Sequence, residues 1–220
     1  MIKQNSDLEV SHYQEANVRQ VERLGMQPHL VRMRPLNTNG DTPELVIINA
    51  HDKTRAFRCE IGYFRMACAN GLICGNSIAG FKTSHYGFDY EGLLNFISQF
   101  PSKSKEIHEQ VEFMKTKDMT LDMQLDLSKN IYQYKYDFDF KDPENDPIDI
   151  QVAIREMGTA LLPRRTEDNA NDSWSVFNRL QENYIKGRKA RIGTIRSVKN
   201  IRKLVNLNKY MWDQTLTAIN

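Results

Sequence analysis

The chain has 220 residues, 40% hydrophobic and 26% charged, with a formal net charge of +2 at pH 7. That length supports one large domain or two small ones; no apolar run approaches a membrane span, and the opening residues lack the apolar core of a signal peptide. Three cysteines, Cys59, Cys68 and Cys74, are an odd number that argues against a secreted disulfide framework and for reduced thiols in the cytoplasm.

In chain order, residues 8–24 read as a helix stopped at Gly25. Leu30–Pro35 and Glu44–Asn49 read as strands around a turn-rich Asn37–Pro43, and Arg55–Ile61 as a returning strand. Tyr63–Asn70 suits a short helix with Gly71 at its cap, and Ile73–Gly75 and Ile78–Phe88 return to the sheet. Leu93–Phe100 and Lys105–Lys117 are helical pieces interrupted at Pro101. From Ile131 to Phe140 the rings of Tyr132, Tyr134, Tyr136, Phe138 and Phe140 alternate with polar residues, a strand pattern. Its first residues could equally finish a helix begun near Thr120. Asp142–Pro147 is a loop, and Ile148–Met157 a helix or strand.

The last two helices have the strongest signals. Asn171 or Asp172 caps a segment with Trp174, Phe177, Leu180 and Tyr184 on one face, closed by Gly187. In the final helix Ile195, Val198, Ile201, Val205 and Trp212 form an apolar stripe, with Arg196, Lys199 and Lys203 opposite it. The glycine-bounded link Lys186–Thr194 reads as a basic loop. The expected architecture is α+β in a single domain, 1–220. Its antiparallel sheet comes from a sheet-rich 27–90, and the helices of a helix-rich 91–220 pack on one face.

Charge is segregated. Lys186, Arg188, Lys189, Arg191, Arg196, Lys199, Arg202, Lys203 and Lys209 occur in a stretch without a single Asp or Glu, whereas 118–149 is acidic. A concentrated positive face selects polyanions. Phosphate contacts are expected from Lys186, Arg188, Lys189, Arg191, Arg196, Lys199 and Lys203, aided by Arg164 and Arg165. About five such contacts to a single strand give a log–log salt slope of about −3.5. The aromatic alternation is either a stacking platform for bases or the inner face of a half-buried strand.

Other chemistry finds little support. Cys59, Cys68, Cys74 and His85 or His51 lack the paired knuckle spacing of a zinc site. Asp137–Asp146 departs from a calcium loop at Lys141 and Asp142. No phosphate-binding or nucleophile-elbow motif occurs. No metal, cofactor or catalytic residue is therefore expected.

Two blocks carry a family resemblance. The first runs Val46-Ile-Ile-Asn-Ala-His-Asp-Lys-Thr and continues through Gly62-Tyr-Phe-Arg-Met-Ala-Cys-Ala-Asn-Gly-Leu-Ile-Cys-Gly75 to His85. The second joins Pro163-Arg-Arg-Thr-Glu-Asp to Asn171–Asn178, Gln181–Gly187 and Asn208–Trp212. From about Gln27 onward the chain resembles the phage- and plasmid-borne family known as domain of unknown function 932. The resemblance implies a mobile-element origin and an intracellular setting, with no established activity. It brings together Asn49, His51, Asp52, Arg65 and Asn70, and later Arg164, Arg165, Trp174, Asn178 and Asn183, as one polar site or as turn and cap residues.

The reading that follows is a non-catalytic accessory protein that binds nucleic acid, single-stranded DNA first, in recombination, annealing or transfer. It needs no membrane, and a homo-oligomer is left open. The competing readings are an inhibitor docking on a host defence or repair protein, and a metal-dependent nuclease using carboxylates such as Asp137 and Asp139.

Overall fold

A computed structural model of the chain describes residues 8–15, 28–36, 42–50, 56–64, 72–73 and 80–220. The chain is α+β, with strands in its first half and mostly helices in its second. It divides into two compact units, Met1–Glu109 and Gln110–Asn220.

The first unit holds an antiparallel sheet. Strands β1 (Leu8–Glu15), β2 (Pro28–Pro35), β3 (Thr42–Ala50), β4 (Phe57–Phe64) and β5 (Leu72–Ile73) lie in chain order, and β6 (Gly80–Thr83) pairs with the other end of β4. The meander follows from runs of β-branched and aromatic residues. Leu45, Val46 and Ile48 of β3 and Cys59, Glu60, Ile61 and Tyr63 of β4 are buried, so both strands are covered on both faces. A buried ion pair links β2 to β3: Arg32 Nε donates to Glu44 Oε2 at 2.7 Å, and Ser11 Oγ donates to the same oxygen.

The helix expected over 8–24 is corrected over its described part, because residues 8–15 form β1. Pairing decides it: Leu8↔Pro35 through Glu15↔His29 run antiparallel, and Arg34 Nε meets Glu9 Oε1 across the strands at 2.7 Å. The short helix expected from Tyr63 is corrected at its start, since Tyr63 and Phe64 still belong to β4. The remainder, 65–70, lies outside the described residues.

Helices α1 (Tyr90–Ser98) and α2 (Phe100–Lys115) break at Gln99, and Pro101 sits in the first turn of α2, where its missing N–H costs nothing. In the second unit, α3 (Leu121–Tyr136), α4 (Pro147–Ala160), α5 (Ser173–Lys186) and α6 (Ile201–Ile219) pack on one another. Helix α5 is central. Every residue from Ser173 to Ile185 is buried, the polar ones included.

Most of those polar groups are hydrogen-bonded, as burial demands, Arg179 Nε being an exception. Asn178 Nδ2 donates to Trp174 O at 2.7 Å, Gln181 Nε2 to Asn208 Oδ1 at 2.9 Å, and Arg179 Nη2 to Gln124 Oε1 at 3.2 Å. Asn183 Nδ2 closes the carbonyls of Ala160 and Leu162 at the end of α4. Trp212 of α6 meets Trp174 and Phe177 edge to face, at 6.4 and 5.7 Å between centroids.

Candidate nucleic-acid interface

The basic stretch is a positioned surface built from two elements. Arg188–Lys189 (β7) and Thr194–Ile195 (β8) pair antiparallel as a hairpin whose tip is Ala190–Gly193. This corrects the loop expected from Lys186 to Thr194. Helix α6 begins at Ile201 behind an Asn200 cap, so Ile195, Arg196, Val198 and Lys199 precede it. That corrects the longer final helix: of the expected cationic ridge, only Lys203 is on α6.

Two glycines make the hairpin fit. Gly187 has φ of +74°, and a Cβ there would lie 2.6 Å from Ser197 N and 2.7 Å from Ile195 O. At Gly193 a Cβ would meet the Arg155 carbonyl oxygen and Thr159 Oγ1 of α4, both at 2.9 Å. Backbone and side-chain bonds then pin the following segment. Val198 N donates to Ile185 O at 2.8 Å, and Lys135 Nζ donates to Arg196 O at 2.6 Å and to Tyr184 O at 2.8 Å.

Helix α3 supplies the aromatic wall. The alternating rings lie on a helix through Tyr136, so the strand reading of that segment gives way. Asp137, at φ 55°, ends the helix in the left-handed conformation and turns Phe138 back. At about 100° per residue alternate positions diverge, and the stripe splits. Tyr132, Tyr136, Phe138 and Phe140 cluster, with centroids 4.6, 5.7 and 6.1 Å from that of Tyr132. Tyr134 stands apart and stacks on Tyr210 of α6, centroids 4.0 Å apart and planes within 7°. Its other side is open, and the residue is 45% exposed.

Tyr134 and Tyr136 line a surface groove of about 470 Å³ together with Arg196, Lys199, Asn200 and Lys203. Arg196, Lys199 and Lys203 are exposed. Among the described residues none of the three is in an ion pair. The floor is different. Burial lowers the Lys135 ammonium from its ordinary 10.5 to about 8 against the opposing pull of Glu156. Burial likewise raises Glu156, while Lys135, Tyr132 and Arg196 oppose the rise.

Four of the other expected cations, Arg164, Arg165, Lys186 and Arg188, are engaged. Arg165 and Lys186 share Glu182 at 3.3 and 3.1 Å. Burial raises that carboxyl, but its hydrogen bonds and ion pairs with the two cations outweigh it and hold the group below the usual range. Arg164 Nε donates to Asn183 Oδ1 at 2.7 Å, and Arg188 Nη1 to Leu162 O at 2.6 Å. Lys189 and Arg191 are exposed on the hairpin. Asn178 and Trp174 are internal to α5, whereas Asn183 meets Arg164.

Of the first polar block, Asn49 lies on β3 opposite His29, with its Oδ1 buried and unbonded. His51, Asp52, Arg65 and Asn70 lie outside the described residues, as do Cys68 and Cys74. Cys59 is buried on β4, which pushes its thiol up to about 12. Among the described residues no group of three metal-ligating side chains comes together. The acidic stretch is spent locally: Asp139 Oδ1 accepts from Lys141 N, Asp142 Oδ1 from Glu144 N, and Asp146 caps α4.

The family model described as "Domain of unknown function (DUF932)" matches residues 9–212. The chain belongs to this family. It is 28% identical to the UPF0380 protein YfjQ of Escherichia coli (strain K12) over 213 residues, which are 93% of this chain and 74% of that protein. It is also 28% identical to the UPF0380 protein YafZ of the same strain over 206 residues, 90% of this chain and 71% of the other. No solved structure matches the chain. Among the described residues no helix is long and apolar enough to cross a membrane.

In this family member two parts of the second sequence block meet, Arg164 and Arg165 reaching the Asn183 and Glu182 side chains of α5. Tyr210 and Lys135 were not singled out from the sequence. Each acts on a residue distant in the chain, 61 positions away for Lys135 and Arg196, and no local pattern marks such a pair.

Proposed function

We propose that this chain binds single-stranded DNA without catalysing a reaction on it. The observation that carries the reading is the groove in which the open face of Tyr134 stands beside Arg196, Lys199 and Lys203. Unpaired bases stack on an aromatic face, and cations beside it take the backbone phosphates. A duplex keeps its bases stacked inside, so it engages the cations alone. Arg191 on the hairpin extends the positive track, while Arg165 and Lys186 hold the frame through Glu182.

The mobile-element setting implied by the family resemblance makes the protein an accessory factor of a phage or plasmid. It would act in the cytoplasm during recombination, annealing or transfer. The test is a titration with an oligothymidylate and a duplex of equal length at two salt concentrations. The single strand binds more tightly, and each phosphate contact adds about 0.7 to the downward log–log salt slope. Binding indifferent to salt, or unchanged when Arg196, Lys199 and Lys203 are neutralised together, overturns the reading.

A further inference from the structure

Arg164 and Arg188 are held differently from the other paired cations. Arg165 and Lys186 have a carboxylate between them. The acceptors of Arg164 and Arg188 are all neutral: both donate to Asn183 Oδ1, at 2.7 and 3.3 Å. Arg164 also donates to Gly187 O, and Arg188 to Leu162 O and Pro163 O.

Two guanidinium groups meeting on one amide oxygen repel each other. Burial, and then the Arg164 charge, hold Arg188 below its ordinary value. The carboxylate acting on Arg188, that of Glu182, is already shared by Arg165 and Lys186. Neutral carbonyls orient the two forks without cancelling their charge. Both open, with Lys189, onto a shallow surface cup of about 420 Å³ lined otherwise by Pro163 and Gly187.

We propose that Arg164, Arg188 and Lys189 form a phosphate-binding site distinct from the groove that holds Tyr134. Oriented guanidinium forks match tetrahedral oxyanions through paired, charge-assisted hydrogen bonds. The proposal rests on the nucleic-acid reading only for the source of the phosphate, which is either the end of a DNA strand or a free phosphate ion.

The experiment follows thermal unfolding of the full chain in sodium phosphate and in sodium chloride at matched ionic strength. Phosphate is expected to raise the midpoint above chloride. Lys189→Ala, a change confined to an exposed side chain, reduces the difference, and Arg164→Lys, which keeps the charge but loses the fork, removes it. The groove variant Tyr134→Ala combined with Lys199→Ala retains it. Equal midpoints in the two salts, or an undiminished phosphate effect in Lys189→Ala and Arg164→Lys together, overturn the proposal.

Binding of 5′-phosphorylated and 5′-hydroxyl oligothymidylate identifies the source. Preference for the phosphorylated strand by about tenfold, lost in Arg164→Lys, assigns a strand end. Equal binding of the two strands, with the salt difference intact, assigns a free ion. Oligonucleotide binding that persists while phosphate and chloride act alike sinks this site and leaves the groove standing.

Discussion

The ammonium of Lys135 lies 2.6 Å from the carbonyl oxygen of Arg196. A lysine on α3 thereby holds the backbone of the basic segment from beneath, while the Arg196 side chain stays exposed above. The same ammonium donates to Tyr184 O and sits 4.8 Å from the Tyr136 ring centroid. Cation, carbonyls and rings form one half-buried unit under the groove.

That burial has a pH signature. Lys135 is lowered from 10.5 to about 8, so between those values the unfolded chain binds more protons than the folded one. Stability from this group therefore rises with pH across that window and is lost as pH falls through about 8. The contribution is at most about 3 kcal/mol. Above about pH 10 the tyrosines oppose it, because burial raises Tyr132, Tyr136 and Tyr184 and only the unfolded chain then ionises them. The expected outcome is an unfolding midpoint that climbs from pH 8 to about 10 and then falls. Lys135→Met flattens the climb; a climb of equal size in that variant refutes the assignment.

Tyr134 separates stacking from charge. Removing the ring with Tyr134→Ala weakens single-strand binding by about 1–3 kcal/mol and leaves duplex binding and the salt slope nearly unchanged. Tyr134→Phe retains the affinity. Anisotropy titrations of all three proteins check this, and equal losses on single strand and duplex would count against a stacked base.

Gly187→Ala strains the chain at a single point. The residue must keep φ at +74° while its new Cβ approaches Ser197 N and Ile195 O. A loss of about 1–3 kcal/mol is expected in denaturant melts. Hydrogen exchange localises the effect, with faster exchange at Val198 N, which donates to Ile185 O. Unchanged protection there would show that the hairpin tolerates a side chain.

Glu44 anchors charge inside the sheet. It is 2% exposed and accepts from both Arg32 and Ser11. Glu44→Ala leaves a buried guanidinium without this carboxylate and costs about 3–5 kcal/mol. Arg32→Met combined with Glu44→Leu costs less than the sum of the single changes. Additive losses in chemical unfolding would mean that the two groups do not share an energy.

The segregated charges, the Asp172 cap, the closing Gly187 and the core face of α5 were legible in the sequence because each is local. A cap, a turn or an apolar period acts through backbone and neighbours within a few residues. So were β2, β3 and β4, whose apolar runs suit a covered sheet. The alternation from Tyr132 to Phe140 was legible but ambiguous, and packing settled it as a helix that turns at Asp137. Residues 8–15 took their strand form from pairing with β2, a partner no local pattern names.

What the sequence by itself determined, then, is where the positive charge lies and which segments have a face to bury. Only the tertiary structure decided which cations remain exposed. Glu182 reaches Arg165 from 17 positions away, Lys135 meets Arg196 across 61, and Tyr134 finds Tyr210 on another helix. Such pairs depend on how helices cross, and their energies appear only after the helices have packed.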